Sequence, residues 1–89
     1  MKKAVYYTSQ FKKDFKLCMK RGYDTQLIKN VMTDLENGEQ LPLQNKDHAL
    51  TGGYTGYREC HVQPDWLLVY QTNEETVVFD RTGTHSDLF

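Results

Sequence analysis

Three histidines, His48, His61 and His85, stand in the second half of this chain, each beside a run that reads as a loop or a strand end. Asp65 and Arg81 also fall at strand ends, and Arg81 precedes His85 by four residues across Gly83. Imidazole titrates near neutrality, so it can take or give a proton. The arginine fork matches phosphate oxygens. These groups supply the parts for metal-free cleavage of RNA: a base for the 2′-hydroxyl, an acid for the 5′-oxygen leaving group, and a cation for the phosphorane-like transition state. Trp66 or Phe89 can stack an unpaired base. Two other readings compete. One is a metal site, but no His-x-His, His-x-x-x-His or Cys/His pairing occurs, so no metal ligand is assigned and no cofactor is expected. The other is three histidines satisfied separately at loop ends.

The elements that must carry these groups are legible in outline. Residues 57–70 read as two strands joined at Pro64-Asp65, a good tight-turn pair. Leu67, Leu68 and Val69, closed by Tyr70, suit a central strand buried on both faces. Strands are expected at roughly 57–63, 66–72 and 76–81, with Asn73-Glu74-Glu75 as the second connection, giving an antiparallel meander. Residues 4–8 form a short β-prone run that would join as an edge or parallel neighbour. Thr8 or Ser9 can cap a helix whose Phe11, Phe15, Cys18 and Met19 share one face, ended by Gly22. Asp24 starts a second helix with Leu27, Ile28, Val31, Met32 and Leu35 on one face, stopped at Asn37-Gly38. Residues 39–55 lack periodicity and read as a functional loop carrying His48, pinned by Leu41, Leu43 and Leu50. The Leu88-Phe89 end should dock. The expected fold is α+β: an N-terminal strand and an antiparallel helical hairpin packed on an antiparallel sheet of about four strands, as one domain over residues 1–89.

Residues 1–30 hold eight Lys or Arg against Asp14 and Asp24, a net of +6, while residues 31–89 carry a net of −7. Lys12, Lys13, Lys16 and Lys20 give the first helix a basic face for phosphates or an acidic partner, unless it is only a solvated surface. Cys18 and Cys60 fall at core positions and form no disulfide scaffold, which suits a reducing cytoplasm. No apolar run reaches membrane-span length, so no membrane partner is expected.

Three segments in order narrow the choice: Lys46-Asp47-His48-Ala49-Leu50-Thr51-Gly52, Gly56-Tyr57-Arg58-Glu59-Cys60-His61-Val62-Gln63-Pro64-Asp65-Trp66, and Arg81-Thr82-Gly83-Thr84-His85-Ser86-Asp87-Leu88-Phe89. Together they resemble the YafQ branch of the RelE/ParE toxin superfamily, ribosome-dependent mRNA interferases of bacterial toxin–antitoxin pairs. The resemblance is specific over about residues 46–89; before that, only the strand, the helical hairpin and the basic first helix agree. It implies a RelE-like fold with His48, His61, Asp65 and His85 in a catalytic cleft and Arg81 on the scissile phosphate. It implies substrate contacts at Trp66 and Phe89. The preferred assignment makes His85 the acid and Asp65 or His48 the base, with His61 positioning substrate or sharing the base role. The implied partners are a cognate antitoxin and mRNA in the A site of the 70S ribosome, with Lys12, Lys13 and Lys16 on ribosomal RNA phosphates. Rival functions are a ParE-like toxin that poisons gyrase without nuclease activity, and a non-catalytic RNA-binding module.

Overall fold

The structure, a computed structural model, describes residues 2–89. Its centre is strand β4 (Trp66–Thr72), which lies between β3 (Arg58–Gln63) and β5 (Thr76–Gly83). Side chains alternate across a strand. Trp66, Leu68 and Tyr70 therefore face one side, and Leu67 and Val69 the other; all five are buried. The expectation of a strand buried on both faces holds. The two-residue turn Pro64-Asp65 joins β3 to β4 as expected.

Two edge strands complete a mixed five-stranded sheet. β1 (Ala4–Tyr7) runs parallel to β5, and β2 (His48–Ala49) runs antiparallel to β3. β2 is the strand that the expected count of about four omits. Two residues are too few for any periodicity, and the pairing of His48 with Glu59 defines it only in three dimensions.

Helices α1 (Ser9–Lys20) and α2 (Thr25–Glu36) cover one side of the sheet. Thr8 caps α1 by accepting from the Phe11 N–H at 2.9 Å, and Asp24 caps α2 through the Gln26 N–H at 2.9 Å. Gly22, at φ 82°, takes the left-handed turn that ends the first helix and lets the chain double back. Phe11 and Cys18 of α1 with Ile28, Val31 and Leu35 of α2 pack on Trp66, Leu68, Tyr70, Val77 and Phe79. Cys18 and Cys60 are free and buried in this layer. Among the described residues no helix is long and apolar enough to cross a membrane.

The opposite side is thinly covered. Leu50 and Tyr57 from the β2–β3 loop, and Leu88 from a short C-terminal helix α3 (His85–Leu88), lie over Leu67 and Val69. Thr84 and Asp87 close a reciprocal cap at the start of α3. Leu88 docks as expected, whereas Phe89 stays exposed. Of the three leucines expected to pin the loop, Leu41 is buried and Leu50 half-buried, but Leu43 is 92% exposed. Its 3-10 turn, Leu43–Asn45, leaves the side chain in solvent. Polar contacts hold this segment instead. Asn45 Nδ2 donates to the His61 carbonyl at 2.7 Å, and the Tyr70 hydroxyl donates to Asp47 Oδ1 at 2.6 Å.

Candidate active site

Strand register assembles a polar cluster on the thinly covered side. One row crosses the sheet through His48, Glu59, Val69 and Arg81; the next runs through His61, Leu67 and Gly83. His48 Nδ1 donates to the Lys46 carbonyl at 2.7 Å, and His61 Nδ1 donates to the Pro64 carbonyl at 3.1 Å. A carbonyl only accepts, so each bond fixes the proton on Nδ1 and turns Nε2 inward. Both Nε2 atoms lie 3.7 Å from the same oxygen, Glu59 Oε1. Glu59 is 5% exposed, so its carboxyl group is shielded from solvent beside the two imidazole nitrogens.

His85 enters from the start of α3. Its ring lies 5.8 Å from that of His61, centroid to centroid. Asp65 Oδ1 accepts from the His85 backbone N–H at 2.9 Å and meets its Nδ1 at 2.7 Å. These two bonds, the backbone one first, hold the Asp65 carboxyl below its ordinary range. They orient His85 and leave Nε2 as its free nitrogen. A carboxylate held this way is a weaker proton acceptor than a free one. Glu59, His61 and His85 present one ligand atom each within 4.8 Å of one another, a spacing that can hold a metal ion.

Four of the expected site residues, His48, His61, Asp65 and His85, thus converge. Arg81 does not join them. Its Nε lies 2.7 Å from Asp14 Oδ2 and its Nη2 3.3 Å from Asp14 Oδ1. Asp14 is a buried acid of α1 that also accepts the Thr82 N–H at 3.2 Å. β1 ends opposite Phe79, and Asp14 takes over the exposed edge of β5 beyond it. The guanidinium expected on the scissile phosphate is thus anchored by a buried carboxylate.

The expected substrate contact at Trp66 is corrected. Trp66 is 1% exposed, donates Nε1–H to Thr82 Oγ1 at 2.9 Å, and packs on Tyr23 at 4.8 Å. Alternation along β4 turns it toward the helices, away from the histidines, so it cannot stack a substrate base. Phe89 is 57% exposed and meets Tyr54 edge-to-face at 5.3 Å. Lys12, Lys13 and Lys16 are exposed on α1. Glu59 is the residue that sequence reasoning passed over. Its signal was available, since Glu59 and His61 are two apart on one strand and so share a face.

A small α+β protein with a cluster of histidines and carboxylates on an open sheet face matches bacterial toxins. Residues 3–89 match the family described as bacterial toxin of type II toxin–antitoxin system, YafQ. The mRNA interferase toxin YafQ of Escherichia coli K12 is 43% identical over 90 residues, covering 100% of this chain and 98% of the relative. Among solved structures, the E. coli DinJ–YafQ toxin–antitoxin complex superposes with a TM-score of 0.93 at 43% identity, covering 100% of this chain and 99% of the other. A metal-bound toxin from Helicobacter pylori gives 0.91 at 41% identity, with 100% of each chain covered. The chain belongs to the YafQ family of type II toxins.

Proposed function

We propose that this chain is an mRNA interferase, an endoribonuclease that cuts mRNA on the ribosome and so stops translation in the cytoplasm. The observation that carries the reading is the convergence of three imidazoles on one open face, two of them aimed at Glu59 and the third held by Asp65. His85, oriented by Asp65, gives an Nε2 proton to the leaving 5′-oxygen. His48 or His61, with Nδ1 tied to a carbonyl, takes the 2′-hydroxyl proton on Nε2. Glu59 then stabilises the imidazolium that forms. Arg81 contributes positive charge to the RNA backbone, and Phe89 is available to stack a base. The basic side of α1, with Lys12, Lys13 and Lys16, meets ribosomal RNA phosphates. Its regulatory partner is an antitoxin, as DinJ is for the E. coli relative.

The test is single-turnover cleavage of ribosome-bound mRNA. Replacing His85 with Ala is expected to lower the rate by about 10²–10⁴ with the fold intact by circular dichroism. Wild-type rates in folded His85→Ala would remove the acid. Reversing Lys12, Lys13 and Lys16 to Glu should weaken ribosome binding and flatten its salt dependence. A gyrase poison would leave mRNA whole and inhibit supercoiling instead. A second reading concerns the same trio. Two imidazole nitrogens and one carboxylate oxygen suit zinc or copper, and a metal there occupies the lone pairs that proton transfer needs. Added zinc should then slow cleavage and a chelator should restore it.

A further inference from the structure

A second recess opens beside the histidine cluster, about 340 Å³ in volume. That falls within the roughly 300–1,000 Å³ typical of small-ligand sites. Tyr54 and Tyr57 line it from the β2–β3 loop, Asp80 and Arg81 from β5, and Gln10 from α1. Tyr57, which lines the recess, also packs on the apolar cluster of Leu67, Val69 and Leu88. An irregularity of β5 lies in its lining. Val69 pairs with Arg81 while Tyr70 pairs with Phe79, which leaves Asp80 as an extra residue in β5.

The lining holds polar capacity that the protein does not use. Arg81 spends Nε and Nη2 on Asp14, and Nη1 has no hydrogen bond to any described residue. Asp80 receives a single donor, Gln71 Nε2, at 3.1 and 3.3 Å to its two oxygens. Neither oxygen has another hydrogen bond to a described residue, which leaves acceptor lone pairs for a further donor. Tyr54 is 42% exposed, and its ring is braced edge-on by Phe89 at 5.3 Å and by Tyr57 at 6.2 Å. An open aromatic ring, a spare guanidinium nitrogen and a carboxylate acceptor are complementary to one nucleotide: its base, its phosphate and its amino edge.

We propose that this recess is a base pocket for the mRNA. It takes a nucleobase next to the cleaved bond, stacked on Tyr54, with an exocyclic amino group on Asp80 and the adjoining phosphate on Arg81 Nη1. Glu59 and Arg81 are two strands apart in one row, about 10 Å at the usual interstrand spacing. The pocketed base therefore belongs to a neighbouring nucleotide and not to the one whose 2′-hydroxyl reacts. Adenine, cytosine and guanine carry the amino group; uracil does not, and is disfavoured. The inference rests on the mRNA interferase reading above.

The experiment measures single-turnover cleavage on ribosomes with mRNAs that vary each base around the cut. One flanking position should prefer amino-bearing bases over uracil. Tyr54→Leu should raise the half-saturating concentration about tenfold with little change in maximal rate, and Tyr54→Phe should behave as wild type. Asp80→Asn should erase the preference against uracil at that position. A second measurement needs no cleavage. 2-Aminopurine is placed at that position in an mRNA with 2′-deoxyribose at the cut. Its fluorescence should be quenched by the wild-type protein and not by Tyr54→Leu. Quenching without cleavage of the natural mRNA would overturn the interferase reading and leave the pocket standing. Cleavage without quenching, or Tyr54→Leu and Asp80→Asn both indistinguishable from wild type, would overturn the pocket.

Discussion

On the helix side of the sheet, Trp66, Leu68 and Tyr70 of β4 are each at most 1% exposed beneath two amphipathic helices. On the other side, Leu67 and Val69 of the same strand are covered by Leu50, Tyr57 and Leu88, and around them stand three histidines, Glu59, Asp65 and Arg81. Every fixed proton in the histidine cluster sits on the second side. A strand can separate the two tasks because alternate side chains point opposite ways. Apolar packing on one face holds the backbone still, so the other face can keep ionisable groups close together at low cover. Position along β4 therefore says less about a residue's role than its parity does.

Substitutions on opposite faces sharpen that contrast. The largest effect is expected at Trp66. Trp66→Ala should destabilise the fold by about 3–5 kcal/mol, read by urea denaturation. Trp66→Phe should lose the bond to Thr82 and some stability, yet cleave mRNA normally in the folded fraction. Slow cleavage by stably folded Trp66→Phe would put Trp66 back in the site. Glu59→Gln comes next. Losing the shared counter-ion of His48 and His61 should lower the cleavage rate by about 10²-fold while the melting temperature holds or rises, since a buried charge is removed. A large drop in stability with unchanged rate per folded molecule would make Glu59 a structural residue.

Arg81 joins the two sides, so its substitution should affect both. Arg81→Ala should cost about 1–3 kcal/mol of stability because Asp14 loses its ion pair while still buried. The double variant with Asp14→Asn should recover part of that loss without recovering RNA cleavage. Full additivity in a double-mutant cycle would show that the pair does not act as a unit.

The smallest effect concerns the docking of α3. Asp87 binds the Arg21 guanidinium at 2.6 and 3.0 Å and accepts the Thr84 N–H at 2.9 Å. These contacts, Arg21 first, hold its carboxyl well below the ordinary value of 3.8. Below that value the unfolded chain binds a proton that the folded one does not. The contribution is therefore present above pH 3.8 and lost as pH falls through the depressed folded value. Amide exchange at Leu88 and Phe89, measured against exchange in the helix-side core, should accelerate first on acidification. Arg21→Ala should move that onset to higher pH. Gly83→Ala should loosen the same helix, since a Cβ there would lie 2.8 Å from Asp87 Oδ2 and 3.0 Å from Asp87 Cβ.

Much of this molecule is set by local sequence. The caps at Thr8 and Asp24, the apolar faces of both helices, the Pro64-Asp65 turn and the doubly buried run at Leu67 to Val69 follow from hydrophobic period and backbone preference, which act within a few residues. The family resemblance likewise collected His48, His61, Asp65 and His85 from separate segments. What the sequence could not place depended on register. Val77 and Phe79 face the helices, and unbroken alternation would send Arg81 there too. The extra residue Asp80 turns it to the open side. Trp66 borders the turn that carries Asp65, and its proximity in sequence suggested a shared site; parity put it in the core. Glu59 became the meeting point of two imidazoles only when a two-residue strand set His48 opposite it. Asp14 reads as one more charge on a basic helix until the edge of β5 gives it Arg81 and the Thr82 N–H to hold. Pairing across strands is a long-range choice, made by the packing of the whole sheet, and a one-residue shift in it reverses which side chains can meet.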